Sequence, residues 1–482
     1  MSFLQKVSTS MVIILFTTIL VMDVFVQPEY SFDDSPYFDY RSGFLLLAIV
    51  GVVLITAGIM KLGEKTKWNP LCPLLFYIFS SFAFLFLVPM EPVSDQATVF
   101  FLATNELYDP FGYMIVNINV LPTILYVYGL VKLFGASIWV QKIANVVLGL
   151  FTLILTAKIY GLLSSGNDLE QKKTSKLFFT ETENKLLWIG ALFLPAFFYN
   201  NHIYNEVPSV TLAVLMLYLV IRDDNAIWLR VITVIVSCLQ FVLRQSGIIL
   251  VIAVAMYIFF YQKKRVYAVI YFMSVIAGYL LIEKWYTVAM VGDGAQGYPV
   301  WSFIRMGMNE AEFGFQDHSH TSDATFWDCV GRYKEYGLYK VLTIYGKKIF
   351  WIWGEGTYQS GRYGLGYPDN TYTYDTFVTA LISESPDRLL RIAINMVLRA
   401  QYLLYMFFAV IGTLRAQKKP KLSVLFFIIC GFFLFFVIWE IKSRYLYGLY
   451  PIFLLLGMYG WESEDNPVKK IPERIKNRVA SK

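Results

Sequence analysis

Four short polar stretches interrupt an otherwise apolar chain, and they carry the side chains able to do chemistry. MEPVSDQATVFFLATNELYD (90–109) holds Glu91, Asp95, Glu106 and Asp109 with no Lys or Arg among them. YNNHIYNEVP (199–208) holds His202 and Glu206. LRQSGIIL (243–250) holds Arg244, and WEIKSRYLYGLYP (439–451) holds Glu440, Lys442, Arg444 and Tyr445. A guanidinium presents a planar fork of donors that matches phosphate oxygens. A carboxylate can take a proton from an attacking hydroxyl, and it can stabilise an oxocarbenium-like centre. The set therefore reads as a phosphate-and-sugar site. The competing reading is structural: Glu440 and Arg444 are four residues apart and would pair on one face if helical. Ionisable groups at membrane depth are costly, which makes each of these residues a functional candidate by default.

The elements that must position them are hydrophobic. Of 482 residues, 57% are hydrophobic and only 16% charged, with mean hydropathy +0.53. A soluble domain is nearer a quarter charged. Apolar runs recur along nearly the whole length, so the bilayer is the main solvent. The 34 Tyr and 40 Phe fit interfacial belts, where an amphipathic ring is stable. Candidate spans are 10–27, 42–60, 70–89, 138–157, 186–199, 207–221, 229–243, 246–261, 266–289, 390–413, 422–439 and 446–462. The first follows a single Lys6 and runs on through Asp23 to Pro28, which reads as a retained helix rather than a cleaved signal. The net charge of +6 comes mostly from short loops beside helices and does not indicate nucleic acid. Cys72, Cys238, Cys329 and Cys430 are scattered, so no disulfide framework or thiolate metal site is expected.

Loop charge orients the chain, because cytoplasmic loops carry an excess of Lys and Arg. Lys61, Lys65 and Lys67 outnumber Glu64; Lys263, Lys264 and Arg265 form a second cluster; Arg415, Lys418, Lys419 and Lys421 form a third. The basic tail from Lys469 to Lys482 is the fourth. All four are placed inside, with both termini cytoplasmic. Residues 28–41 carry four acids and one base, and belong outside with 90–110. The apolar segment LPTILYVYGLVKLFG (121–135) would flip every later loop if it crossed, so it is expected to be an interfacial or re-entrant helix on the outer side. Parity then puts Asp95, His202, Glu206, Arg244 and Arg444 on the extracytoplasmic face, with the long insert from Met290 to Arg388.

The expected fold is an all-α polytopic membrane protein, a bundle of about twelve transmembrane helices with a long extracytoplasmic loop. Its parts are an N-terminal transmembrane hairpin (1–61), a transmembrane core (62–289) with the first outer loop (90–137), the extracytoplasmic loop domain (290–388), C-terminal transmembrane helices (389–463) and a basic cytoplasmic tail (464–482). Long loops are usually functional. The insert's WIWGEGTYQSGRYGLGYPDNTYTYD (351–375) has aromatic, polar and Gly residues suited to carbohydrate, or equally to a Tyr-rich cap over the bundle.

In order and spacing, PVSDQATVFFLATNEL, IYNEVPSVTLAVLMLYL, LRQSGIIL and SRYLYGLYPIFLLL resemble the GT-C membrane glycosyltransferases, in particular the bacterial protein O-mannosyltransferase-like enzymes (glycosyltransferase family 39-like). The resemblance runs over most of the chain. It implies a GT-C-like fold and a polyprenyl-phosphate-linked sugar donor drawn from the membrane. It implies inverting transfer to an extracytoplasmic hydroxyl acceptor, a cell-envelope glycopolymer being the expected one. Asp95 matches the family's catalytic base, with Glu91 and Glu106 as rivals. Many relatives carry an Asp-Glu pair there; here the neighbour is Gln96. Glu206 matches the acidic position of the second outer turn, and Arg244 and Arg444 would hold the donor phosphate. The N-terminal hairpin precedes the family's usual first span. No cofactor is demanded; a divalent cation is compatible with the family, and Asp317, His318 and His320 are the candidate ligands, although such a loop cluster is more often simply solvated.

Two other classes fit parts of this pattern. A lipid-linked glycan polymerase or ligase would rely on basic residues of the large loop rather than on Asp95. A transporter or flippase of lipid-linked sugars would show internal repeats with broken helices in matching halves, and no such repeat is visible.

Overall fold

The computed structural model describes residues 3–30, 36–39, 42–164, 179–222, 226–315, 324–366, 371–384, 389–416 and 419–462. Asp317, His318, His320, Lys418 and the 464–482 tail lie outside them. The described chain is helical except for one hairpin. Helix α1 (Phe3–Asp23) leads into antiparallel β1 (Gln27–Tyr30) and β2 (Pro36–Asp39), in which Gln27 pairs with Asp39 and Tyr30 with Pro36. Then come α2 (Ser42–Lys65), α3 (Leu71–Leu87), α4 (Asp95–Thr104), α5 (Tyr113–Val116), α6 (Leu121–Phe134) and α7 (Ile138–Ser164). The middle of the chain forms α8 (Glu181–Gly190), α9 (Leu194–Phe198), α10 (Glu206–Arg222), α11 (Ile227–Leu243), α12 (Gly247–Phe260) and α13 (Arg265–Met290). The insert holds α14 (Val300–Met306), α15 (Phe326–Gly354), α16 (Ser360–Tyr363) and α17 (Phe377–Glu384). Helices α18 (Leu389–Ala416), α19 (Ser423–Ile438) and α20 (Tyr450–Trp461) close the bundle.

Among the described residues, six helical segments are long and apolar enough to cross a membrane: Phe3–Asp23, Leu45–Lys65, Ile138–Ser164, Arg265–Met290, Leu390–Ala416 and Pro420–Ile438. The faces they leave uncovered are apolar. Leu46, Leu47, Val50, Leu54 and Ile55 of α2 are exposed, as are Val266, Val269, Ile270, Met273, Leu280 and Leu281 of α13. Contiguous apolar surface of that extent is stable against hydrocarbon, not water. The protein is an all-α chain of membrane type.

Contacts sort the helix ends into two groups. At one end the Gln5 amide meets the Lys419 carbonyl at 3.4 Å, and Arg415 donates to the Tyr459 carbonyl at 3.3 Å. There Tyr160 donates to Glu462 at 2.6 Å, Lys185 pairs with Glu462 at 3.6 Å, and Tyr261 lies 5.9 Å from Phe427. At the other end lie the hairpin, the start of α4, the α9–α10 turn, the end of α11 and the α19–α20 connection, joined by the bonds described below. Helix α6 starts in this second group, and its last turn meets the segment that follows α4. Its Thr123 accepts from Asn205 at 3.1 Å, and its Lys132 pairs with Glu106.

Three sequence expectations change. The 186–199 segment is not continuous: it breaks between Gly190 and Leu194, ahead of Pro195. The first helix ends at Asp23, so Val24–Gln27 are already outside it. The insert is largely helical. Its α15 starts on a capping box, with the Asp328 amide bound to the Thr325 hydroxyl at 3.3 Å, and kinks at Gly337, whose φ of 70° suits glycine. Trp351 and Trp353 are fully buried, so they are packing groups and not a sugar platform.

Candidate functional site

Glu206 opens α10, and its carboxylate is almost fully buried. Oε2 is 2.7 Å from His202 Nε2, four residues earlier. Oε1 lies 3.4 Å from Arg244 and 4.0 Å from Arg444, with no hydrogen bond. Neither guanidinium donates a hydrogen bond to a described residue. Arg444 is instead boxed by rings, 4.8 Å from Tyr363, 5.5 Å from Tyr204 and 5.7 Å from Tyr445; Arg244 sits 5.6 Å from Tyr445 as well. Ring faces attract a cation without consuming its N–H donors. Two arginines are thus held around one carboxylate with their donors uncommitted.

His202 is neutral by its partners. A carboxylate only accepts, so Nε2 carries the hydrogen, and the buried Nδ1 faces no acceptor. Burial holds its pKa below the ordinary 6.5, although Glu206 pulls the other way.

Buried amides fix the turn that carries these groups. Asn145 of α7 donates to the His202 carbonyl at 2.8 Å. Asn201 donates to the carbonyls of Val88 (2.9 Å) and Gly364 (3.1 Å). Asn205 donates to the Leu243 carbonyl at 2.9 Å, which ties the residue before Arg244 to the start of α10. Gln96, the departure from the Asp-Glu pattern, accepts from the Ile203 amide at 2.8 Å. It locks the first polar loop onto the second, a role an ionised Glu would fill only by burying a charge.

Asp95 begins α4, half-buried, just after Ser94, which adopts φ 53°. Positive φ in a serine marks local strain of the kind found at working sites. Tyr113 donates to Asp95 Oδ1 at 3.3 Å, leaving Oδ2 without a donor among the described residues. Tyr113 and Tyr204 lie in the fields of both Asp95 and Arg444, so the acid and Arg444 share one polar cluster.

The rival carboxylates lie apart. Glu106 is exposed and pairs with Lys132 at 2.5 Å, whose hydrogen bond holds its pKa below the usual range. Glu91 makes no bond to the cluster; its charge acts on Lys142. Two sequence readings also fail. Helix α19 ends at Ile438, so Glu440 and Arg444 share no helical face; Glu440 accepts from Tyr445 at 2.6 Å instead of pairing with Arg444. Lys442 turns away from the arginines, with its ammonium 5.8 Å from the Phe315 ring.

Sequence reasoning did not single out Tyr113, Tyr204, Tyr363 or the clamping amides Asn145, Asn201 and Asn205. Each becomes visible only through burial beside a charged partner. Among the described residues, no group of three or more His, Cys, Asp or Glu could hold a metal ion. No family model, curated protein or solved structure matches this chain.

Proposed function

We propose that this protein is a membrane glycosyltransferase that moves a sugar from a polyprenyl-phosphate donor to an extracytoplasmic hydroxyl, with twelve membrane crossings and a GT-C-like arrangement. The observation that carries the reading is the pair of uncommitted guanidiniums around Glu206, close to the half-free carboxylate of Asp95. Two arginines, one carboxylate and a neutral imidazole leave one positive charge. The arginine–Glu206 group by itself thus matches the single negative charge of a phosphodiester, with Asp95 kept apart as the base.

In this mechanism Asp95 Oδ2 takes the proton of the acceptor hydroxyl as its oxygen attacks the anomeric carbon. The bond from that carbon to the phosphate oxygen breaks, and polyprenyl phosphate leaves with both bond electrons. Arg244 and Arg444 stabilise the charge that grows on the departing phosphate. Attack opposite the leaving group inverts the anomeric centre. Glu206, steadied by His202, keeps the arginines from repelling each other before the donor arrives. A cell-envelope glycopolymer is the proposed acceptor.

The test is transfer by the purified protein from a polyprenyl-phosphate sugar to a mixture of envelope glycans. Asp95→Asn should bind the donor normally and lose transfer by about 100-fold or more, the usual contribution of a general base. Full activity in Asp95→Asn would remove the acid from its role; absence of transfer beside active control enzymes would favour a transporter.

A further inference from the structure

The N-terminal hairpin reaches the candidate site. Tyr30, the last residue of β1, approaches Ser443 Oγ at 3.3 Å, and its hydroxyl oxygen accepts from the Ser443 amide at 3.2 Å. Ser443 immediately precedes Arg444. The connection that carries both leaves α19 at Ile438 and enters a 3-10 helix only at Ser443, which runs to Leu449 ahead of α20, so the entry of that turn depends on what holds residues 439–443. It is pinned by other elements: the Glu440 amide donates to the Phe303 carbonyl at 3.1 Å, and the Ile441 amide to the Gly314 carbonyl at 2.9 Å. Tyr30 supplies the last of these pins, nearest the guanidinium.

Tyr30 is itself held rigidly. Its ring stands edge-on to Trp351 at 4.6 Å and to Phe315 at 5.5 Å. Trp351 donates through its indole to the Glu29 carbonyl at 3.3 Å. Arg399 of α18 pairs with the Glu29 carboxylate at 2.7 Å and donates to the Pro28 carbonyl. A hydroxyl so anchored has one position to offer, and the Ser443 amide meets it there.

We propose that Tyr30 is a positioning residue of the phosphate site: through the Ser443 amide it sets the backbone from which Arg444 reaches the donor. The N-terminal hairpin is then a working part of the site, and not only packing. This rests on the reading of Arg444 as a phosphate ligand.

The experiment uses the full-length protein in lipid nanodiscs, with a polyprenyl monophosphate as the probe. Tyr30→Phe keeps the ring contacts and removes only the hydroxyl. Its Kd for the probe should rise about fivefold, the effect of losing one hydrogen bond that aligns a ligand group. Its thermal midpoint should stay that of wild type, and Arg444→Ala should abolish binding. Unchanged affinity in Tyr30→Phe, with Arg444→Ala inactive in binding, overturns the positioning role alone. A fall in thermal midpoint at unchanged affinity also overturns it, by showing a purely structural hydroxyl. Normal binding by Arg444→Ala overturns the phosphate site beneath it.

Discussion

Arg244 and Arg444 approach one oxygen of Glu206 and still keep their donors for another partner. Removing that carboxylate leaves two guanidiniums facing each other with nothing between them. Glu206→Ala should therefore destabilise the protein by about 3–5 kcal/mol, as loss of one member of a buried ion cluster does; thermal unfolding in detergent measures it. Added polyprenyl phosphate should restore part of the loss, since a bound anion replaces the missing charge. His202 gives a pH test. Its folded pKa lies below the ordinary 6.5, so below that value the unfolded chain binds a proton the folded chain refuses. Stability then falls as pH drops through 6.5 toward the folded value, and is flat above it. His202→Gln should remove that slope in unfolding measurements taken from pH 8 to pH 5. At this scale the sequence was informative about charge and silent about rings. Asp95, Glu206, Arg244 and Arg444 stood out because a charged side chain between apolar runs needs a reason. Tyr204 and Tyr363 look like any of the chain's other 32 tyrosines until the fold stacks them on Arg444.

Elements are held to one another at the site end by buried polar links. Arg399 of α18 is one such link: it pairs with Glu29, donates to the carbonyls of Pro28 and Glu355, and lies in the fields of Asp23 and Glu355. It joins α1, the hairpin and the insert. Arg399→Ala should cost about 3–5 kcal/mol, because it strands buried carboxylates without their cation. Arg399→Lys should rescue little, since one ammonium cannot reproduce a planar fork directed at several acceptors. Size-exclusion profiles after heating would rank the three proteins. The long apolar helices were legible because composition alone specifies them. The insert's helices were not: Phe326–Gly354 mixes Lys, Arg, Tyr and Trp with no apolar run longer than Ile349–Trp353, and Gly337 interrupts its periodicity. The break between α8 and α9 was hidden for the opposite reason, as uninterrupted apolar residues mask a turn.

Across the whole molecule, the candidate site and the basic loops occupy opposite ends. Lys419 and Arg415 lie with Gln5 and Tyr459, whereas Arg244, Glu206 and Arg444 lie with the hairpin-bound Ser443. The central claim is that the site end faces out, toward a donor in the outer leaflet. Side-specific cysteine labelling tests it most directly. In a protein freed of Cys72, Cys238, Cys329 and Cys430, single cysteines replace Tyr339 on the exposed flank of α15 and Lys263 in the basic turn. A membrane-impermeant maleimide applied to intact cells should label Tyr339→Cys at once and Lys263→Cys only after the membrane is opened. The reverse pattern, with Lys263→Cys labelled from outside and Tyr339→Cys protected, would contradict the account.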